Sequence, residues 1–206
     1  MQRAMTIDSA EAIQRLRDGN RRFVELAPEA RSRWDRASAT DRQPFAAILC
    51  CSDARAPAEL VFDAGLGDLF VIRVAGNIVA PSQVGSIEFA VDAFAVPLVV
   101  VMGHTRCGAI SAAARHLTTG EAPVTDNVLR ITSRIRPIIE PVLATAGLAD
   151  PLRAAMRANV LASVAQLSHG SRLIEELVQA GKLRVLGAEY ELESGLVRFL
   201  DHAEPG

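Results

Sequence analysis

Apolar residues along this chain fall into two rhythms. Four short, mostly apolar runs, at residues 45–51, 69–74, 97–102 and 183–188, are too brief for helices and suit strands buried inside a sheet. Between them lie longer stretches with helical character at 9–26, 82–94, 107–117, 125–146, 151–167 and 171–180. In the first of these Ile13, Leu16, Phe23 and Val24 fall roughly on one side of an Arg- and Glu-rich segment. Punctuation supports the boundaries. Asp150 before Pro151 supplies an N-cap followed by proline at the first helical position, and Gly181 is placed as a helix stop. Residues 193–195 form a turn signal before a short edge strand at 196–200.

Strands alternating with helices predict an α/β fold: a mostly parallel sheet of four parallel strands plus an edge strand, flanked by helices. Residues 27–43 are polar, include the only tryptophan, Trp34, and read as an arm after the first helix, of a kind that often packs on a partner subunit. The expected organisation is one domain, 1–206, with residues 1–43 as N-terminal helix and arm and 44–206 as the α/β core.

Bulk properties narrow the function. A 206-residue chain, half hydrophobic and 22% charged, buries a substantial core and is not a disordered segment. A net charge of −2 offers no general attraction for nucleic acid. Uncharged, proline-free apolar stretches such as residues 98–103 are far short of a membrane span, and residues 1–10 lack the apolar segment of a signal peptide. Three cysteines, Cys50, Cys51 and Cys107, do not make a disulfide framework; reduced thiols in a cytoplasmic protein are expected.

Two segments carry candidate chemistry. The first, Cys50-Cys51-Ser52-Asp53-Ala54-Arg55, follows a predicted strand. In extended chain, side chains alternate faces, so Cys51, Asp53 and Arg55 share one side and Cys50 faces the other; that parity selects Cys51. The second, Gly103-His104-Thr105-Arg106-Cys107-Gly108, follows another strand and opens a helix. His104 and Cys107 are three apart, a spacing that brings both to one metal in a first helical turn, and a helix N-terminus favours the Cys107 thiolate. Both segments lie at strand C-terminal ends, where open α/β sheets place ligands. Singly, each residue has an ordinary explanation: a buried cysteine, a hydrogen-bonded histidine, a surface ion pair. Jointly, two thiolates and one imidazole suit tetrahedral zinc and leave a fourth position for water or for Asp53, the pattern of a catalytic site.

With these motifs the chain resembles the β-class carbonic anhydrases, which carry Cys-x-Asp-x-Arg and His-x-x-Cys, here Cys51-Ser52-Asp53-Ala54-Arg55 and His104-Thr105-Arg106-Cys107. The likeness extends through residues 67–77, 85–90 and 183–200, and covers roughly residues 10–200. Ala54 and Ala56 depart from the serine and valine common in that family. The resemblance implies one Zn2+ per chain held by Cys51, His104 and Cys107, acidifying a bound water that hydrates CO2 to bicarbonate. It implies that Asp53 either takes the fourth zinc position in a closed state or pairs with Arg55 in an open one. It also implies substrate contacts from Gln43, offered across a dimer interface, and from the Gly108 backbone N–H, and a homodimer or dimer of dimers. Two alternatives use the same residues: hydrolysis of COS or CS2, and a non-enzymatic zinc or thiol redox sensor, for which Asp53 and Arg55 would have no use. His116, His169 and His202 sit in no motif, and none is assigned as a proton shuttle.

Overall fold

A computed structural model describes residues 7–25, 43–121, 123 and 125–200. Strands β1 (Ala46–Cys50), β2 (Leu69–Arg73), β3 (Leu98–His104), β4 (Arg184–Tyr190) and β5 (Val197–Phe199) form one sheet in the order β2-β1-β3-β4-β5. The first four are parallel, and β5 pairs antiparallel with β4 at the edge. The expected architecture is therefore the observed one.

Helices cover both faces, and the period of two in each strand decides which side chain meets which layer. Ala47, Leu49, Val99 and Val101 point to a thick layer built from α3 (Pro81–Phe94), α4 (Gly108–Thr119), α5 (Asp126–Leu143), α6 (Pro151–Gly170) and α7 (Arg172–Gln179). Ala46, Ile48, Leu98, Val100 and Leu186 point to a thinner layer, where α1 (Ser9–Glu25) inserts Ala12, Ile13 and Leu16 beside the short α2 (Ala58–Val61). Because β1 and β3 have helices above and below, every residue in them is buried, which is why their sequences are unbroken apolar runs rather than alternating ones. Asn20 fastens α1 at its far end: its Nδ2 donates to the carbonyls of Val61 and Gly195, and its Oδ1 accepts from the Val197 N–H.

Element ends differ from the sequence reading in ways that matter for the site. β3 and β4 each run two residues further than expected, because their pairing continues in register from Leu98↔Arg184 to His104↔Tyr190. His104 is thus a strand residue, not a helical one. The four-residue α2 has no periodic signature to read. Trp34 and the rest of the predicted arm up to residue 42 lie outside the described residues.

Helix α6 crosses β3 at Gly103, where a Cβ would come within 2.6 Å of both Met156 Sδ and Val160 Cγ2. Methionine can swing aside; a β-branched valine locked in its helix cannot. Gly103→Ala is therefore expected to cost about 1–3 kcal/mol and to lower the thermal midpoint, readable by calorimetry.

The chain passes from β1 outward to β2 and then returns to β3 on the other side of β1. The crevice between the C-terminal ends of β1 and β3 is the point at which strand order reverses, the place where open α/β sheets hold their ligands.

Candidate metal centre

Both motif segments open into that crevice. Cys51 follows β1 directly and its side chain joins the thick-layer core, while Cys50 lies among the residues of the opposite face, as strand parity requires. Burial pushes the Cys50 thiol up to about 12, so it is inert at physiological pH. Beyond Cys51 the extended chain stops. Asp53 and Arg55 meet through a turn, not through strand alternation: the Arg55 N–H donates to Asp53 Oδ1 at 2.9 Å, and the Ala56 N–H to the Asp53 carbonyl at 3.1 Å. The Arg55 guanidinium then grips the same carboxylate twice, Nε on Oδ1 at 2.9 Å and Nη2 on Oδ2 at 2.7 Å. This grip, with the turn N–H, holds Asp53 far below the usual carboxylate range against the opposing effect of burial.

The second segment also differs from the expected helical turn. His104 ends β3, Arg106 takes a left-handed conformation (φ 56°), and Cys107 is the N-cap residue of α4. A tight strand-to-helix corner, not i,i+3 helical geometry, brings the imidazole and thiol to one side. The corner is tied to β4: the Thr105 N–H donates to the Tyr190 carbonyl at 3.0 Å, and Thr105 Oγ1 accepts from the Leu192 N–H at 3.0 Å. Arg106 points outward to Glu193.

Cys51 Sγ, Cys107 Sγ and a His104 ring nitrogen lie within 4.8 Å of one another, all three residues buried. The sulfurs are 3.9 Å apart and all cysteines are free thiols. His104 Nδ1–H donates to the Thr105 carbonyl at 2.9 Å, which fixes the tautomer and leaves Nε2 with its lone pair. That Nε2 is fully buried and has no hydrogen-bond partner, a costly arrangement in a protein interior unless a ligand meets it. Two sulfurs and one such nitrogen converging on a common point fit a thiophilic divalent cation. Asp53 Oδ2 is 3.9 Å from Nε2, near the centre but engaged by Arg55.

The S–H of Cys107 and, more weakly, the Gly76 N–H stabilise a Cys51 thiolate against the opposing effect of burial and hold its pKa below the usual thiol range. Cys107 is pushed up, first by its hydrogen bond to that thiolate and then by burial; the α4 N–H groups of Ala109 and Ile110 pull the other way, as expected, but lose. Burial disfavours the charged His104, and the adjoining Cys51 thiolate outweighs it, so the ring's pKa rises.

Gly108 is the exposed first residue of α4, where a backbone N–H has no partner within its own helix. Gln43 is not brought to the site. It is exposed ahead of β1, while Cys51 follows β1, and five extended residues span about 16 Å at ~3.3 Å each. Several supporting residues carry no sequence motif. Arg73, ending β2, donates from Nε to the Cys51 carbonyl at 3.1 Å and from Nη2 to the Asp53 carbonyl at 2.5 Å, so a neighbouring strand holds the first loop in shape. Arg55 Nη2 reaches the Arg106 carbonyl at 3.4 Å, bridging the two loops. Only the pairing of β1 with β2 could have pointed to Arg73.

Residues 46–197 match the family described as carbonic anhydrase. A carbonic anhydrase of Mycolicibacterium smegmatis is 41% identical over 192 residues, spanning 91% of each chain. Among solved structures, the β-carbonic anhydrase CafA of Aspergillus fumigatus superposes with a TM-score of 0.69 at 28% identity, over 95% of this chain and 90% of that one. Tetrameric β-carbonic anhydrases of Sordaria macrospora share the fold, with a TM-score of 0.68 at 23% identity over 77% of this chain and 81% of that one.

Proposed function

The chain belongs to the β-carbonic anhydrase family of enzymes, and from that premise we propose that it catalyses reversible hydration of CO2 to bicarbonate and a proton with one Zn2+ held by Cys51, His104 and Cys107. The observation that carries this reading is the buried, unpartnered His104 Nε2 converging with two thiols beside an ionised Asp53. Zinc in such a set supplies a water acidified from about 15.7 towards 7, with two thiolates keeping the value above that reached by three neutral imidazoles.

The chain's own residues do the rest. Cys51, His104 and Cys107 would hold the cation through two sulfurs and one imidazole nitrogen. Asp53, kept ionised by Arg55, is an acceptor at every assay pH and orients the attacking water by taking its hydrogen bond. Paired as it is with Arg55, Asp53 stands outside the ligand set, which favours the open state over the closed one. The Gly108 N–H faces an oxygen of the substrate. Gln43 lies too far along β1 to act within its own chain, so a second copy supplies it; this reading makes the enzyme a homodimer or dimer of dimers, with the segment ahead of β1 reaching onto the partner. Replacing Gln43 by alanine is then expected to leave zinc stoichiometric and lower kcat/KM by about tenfold, the loss of ~1.4 kcal/mol of transition-state contact. A full wild-type value would remove Gln43 from the site.

Among the described residues no helix is long and apolar enough to cross a membrane. Free sulfurs 3.9 Å apart at the centre call for a reducing compartment, and the cytoplasm supplies one.

The deciding experiment is stopped-flow CO2 hydration on protein of known zinc content, near pH 7 and again near 8.5. Turnover at both values is the expected result. Activity only at the higher pH would mean that Asp53 closes on the metal below it. One zinc per chain with no CO2 turnover would overturn the assignment in favour of COS or CS2 hydrolysis, or of a redox sensor that releases zinc reversibly on oxidation.

A further inference from the structure

One face of α6 carries two buried polar residues a turn apart, Asn159 and Ser163. Both donate to the same short 3-10 turn, Ala75–Asn77, which follows β2. Asn159 Nδ2 reaches the Gly76 carbonyl at 2.9 Å, and Ser163 Oγ the Asn77 carbonyl at 3.3 Å. Gly76 sits in the left-handed region (φ 69°), and a Cβ there would lie 2.8 Å from Ile135 Cδ1 and 3.0 Å from Ala109 Cβ, so the turn is wedged against α5 and α4 and only glycine fits. The Gly76 N–H is aimed by this conformation at Cys51 Sγ, 3.4 Å away.

We propose that Asn159 is a positioning residue for the metal centre: by fixing the Gly76 carbonyl it fixes the Gly76 N–H on the Cys51 sulfur, with Ser163 as a weaker second anchor on the same turn. A hydrogen bond to a ligand thiolate drains charge from the sulfur and orients its lone pairs, as outer partners of metal ligands do. In a site with two thiolates this offsets part of the charge that the sulfurs would donate to the cation. The amide is uncharged, buried and 83 residues distant from the carbonyl it holds, and burying it is worthwhile only with that hydrogen bond made.

The inference rests on the zinc reading, and the test separates the two. Wild type, Asn159→Leu and Ser163→Ala are loaded with Co2+ in place of Zn2+ and their sulfur-to-cobalt charge-transfer bands recorded; zinc affinity is measured by chelator competition. Asn159→Leu keeps the side chain's size and deletes the donor. Its band is expected at lower energy than wild type, and its zinc affinity weaker by about 10–100-fold. Ser163→Ala is expected to shift both in the same direction by less, and it decides the matter alone should Asn159→Leu not fold. Bands and affinities identical to wild type, with only the thermal midpoint lowered, would overturn the proposal and leave the zinc reading intact. Wild-type protein that takes up neither metal would overturn the zinc reading and this inference with it.

Discussion

Cys107→Ala is expected to yield folded protein that carries almost no zinc and shows no CO2 hydration above background. The side chain removed is one of three converging donors, 3.9 Å from the sulfur of Cys51. The remaining thiolate and imidazole make a two-ligand site, and the affinity lost exceeds the ~10–100-fold that follows from deleting a mere partner of a ligand. The fold survives because Cys107 caps α4 by backbone geometry alone, with no side-chain capping bond to lose; truncating a buried thiol to a methyl is a small cavity, about 1 kcal/mol. The checks are metal content by elemental analysis and secondary structure by circular dichroism. A variant that retains one zinc per chain would dismiss Cys107 as a ligand.

Asp53→Asn should separate binding from chemistry. It is expected to keep stoichiometric zinc and lose CO2 hydration by about 10²–10⁴-fold, because asparagine keeps the shape but offers an N–H where one carboxylate oxygen stood. The bidentate contact with Arg55 is also halved. The wild-type pH profile carries a related expectation. Arg55 depresses the Asp53 pKa, so the carboxylate is ionised from well below the ordinary ~3.9 upward. Protonation of Asp53 itself therefore does not account for a rise in rate between pH 7 and 9; such a rise would come from another titrating group or from Asp53 leaving the metal. The same sign applies to folding: the pair's contribution is present above the ordinary carboxylate pKa and fades as pH falls through the depressed one. It is small, since the Arg55 side chain is 54% exposed and solvent screens the pair. Wild-type turnover in Asp53→Asn would take Asp53 out of the reaction.

Much of this was legible in the sequence, for identifiable reasons. Strand parity separated Cys51 from Cys50, because β1 stays extended up to the ligand and its two faces meet different helical layers. The parallel sheet was legible because burial on both faces leaves unbroken apolar runs. Geometry beyond the strands was not. The meeting of Asp53 with Arg55 depends on a turn made by the aspartate's own side chain, and the approach of His104 to Cys107 depends on a left-handed Arg106. Neither has a periodic pattern. The supports were hidden for a different reason. Arg73, Asn159 and Ser163 act through backbone carbonyls, so nothing in their own neighbourhood of sequence marks them; only the packing of β2 and α6 against the loops does.

The complete burial of β1 has one more consequence. A strand with one wet face is held in register by polarity, since a one-residue slip would expose its apolar set to water. The five residues of β1, Ala46–Cys50, have no wet face, so a slipped strand would still bury grease in grease and lose little on that account. Vicinal cysteines sharpen the danger, because slippage presents Cys50 where Cys51 belongs. A misaligned strand would carry its neighbours along, however, drawing Asp53 out of reach of Arg73 and the sulfur out of reach of the Gly76 N–H. On the zinc reading, Cys51 just past β1, His104 at the end of β3 and Cys107 at the start of α4 would close on the metal in one register only, so that metal uptake would proofread strand alignment.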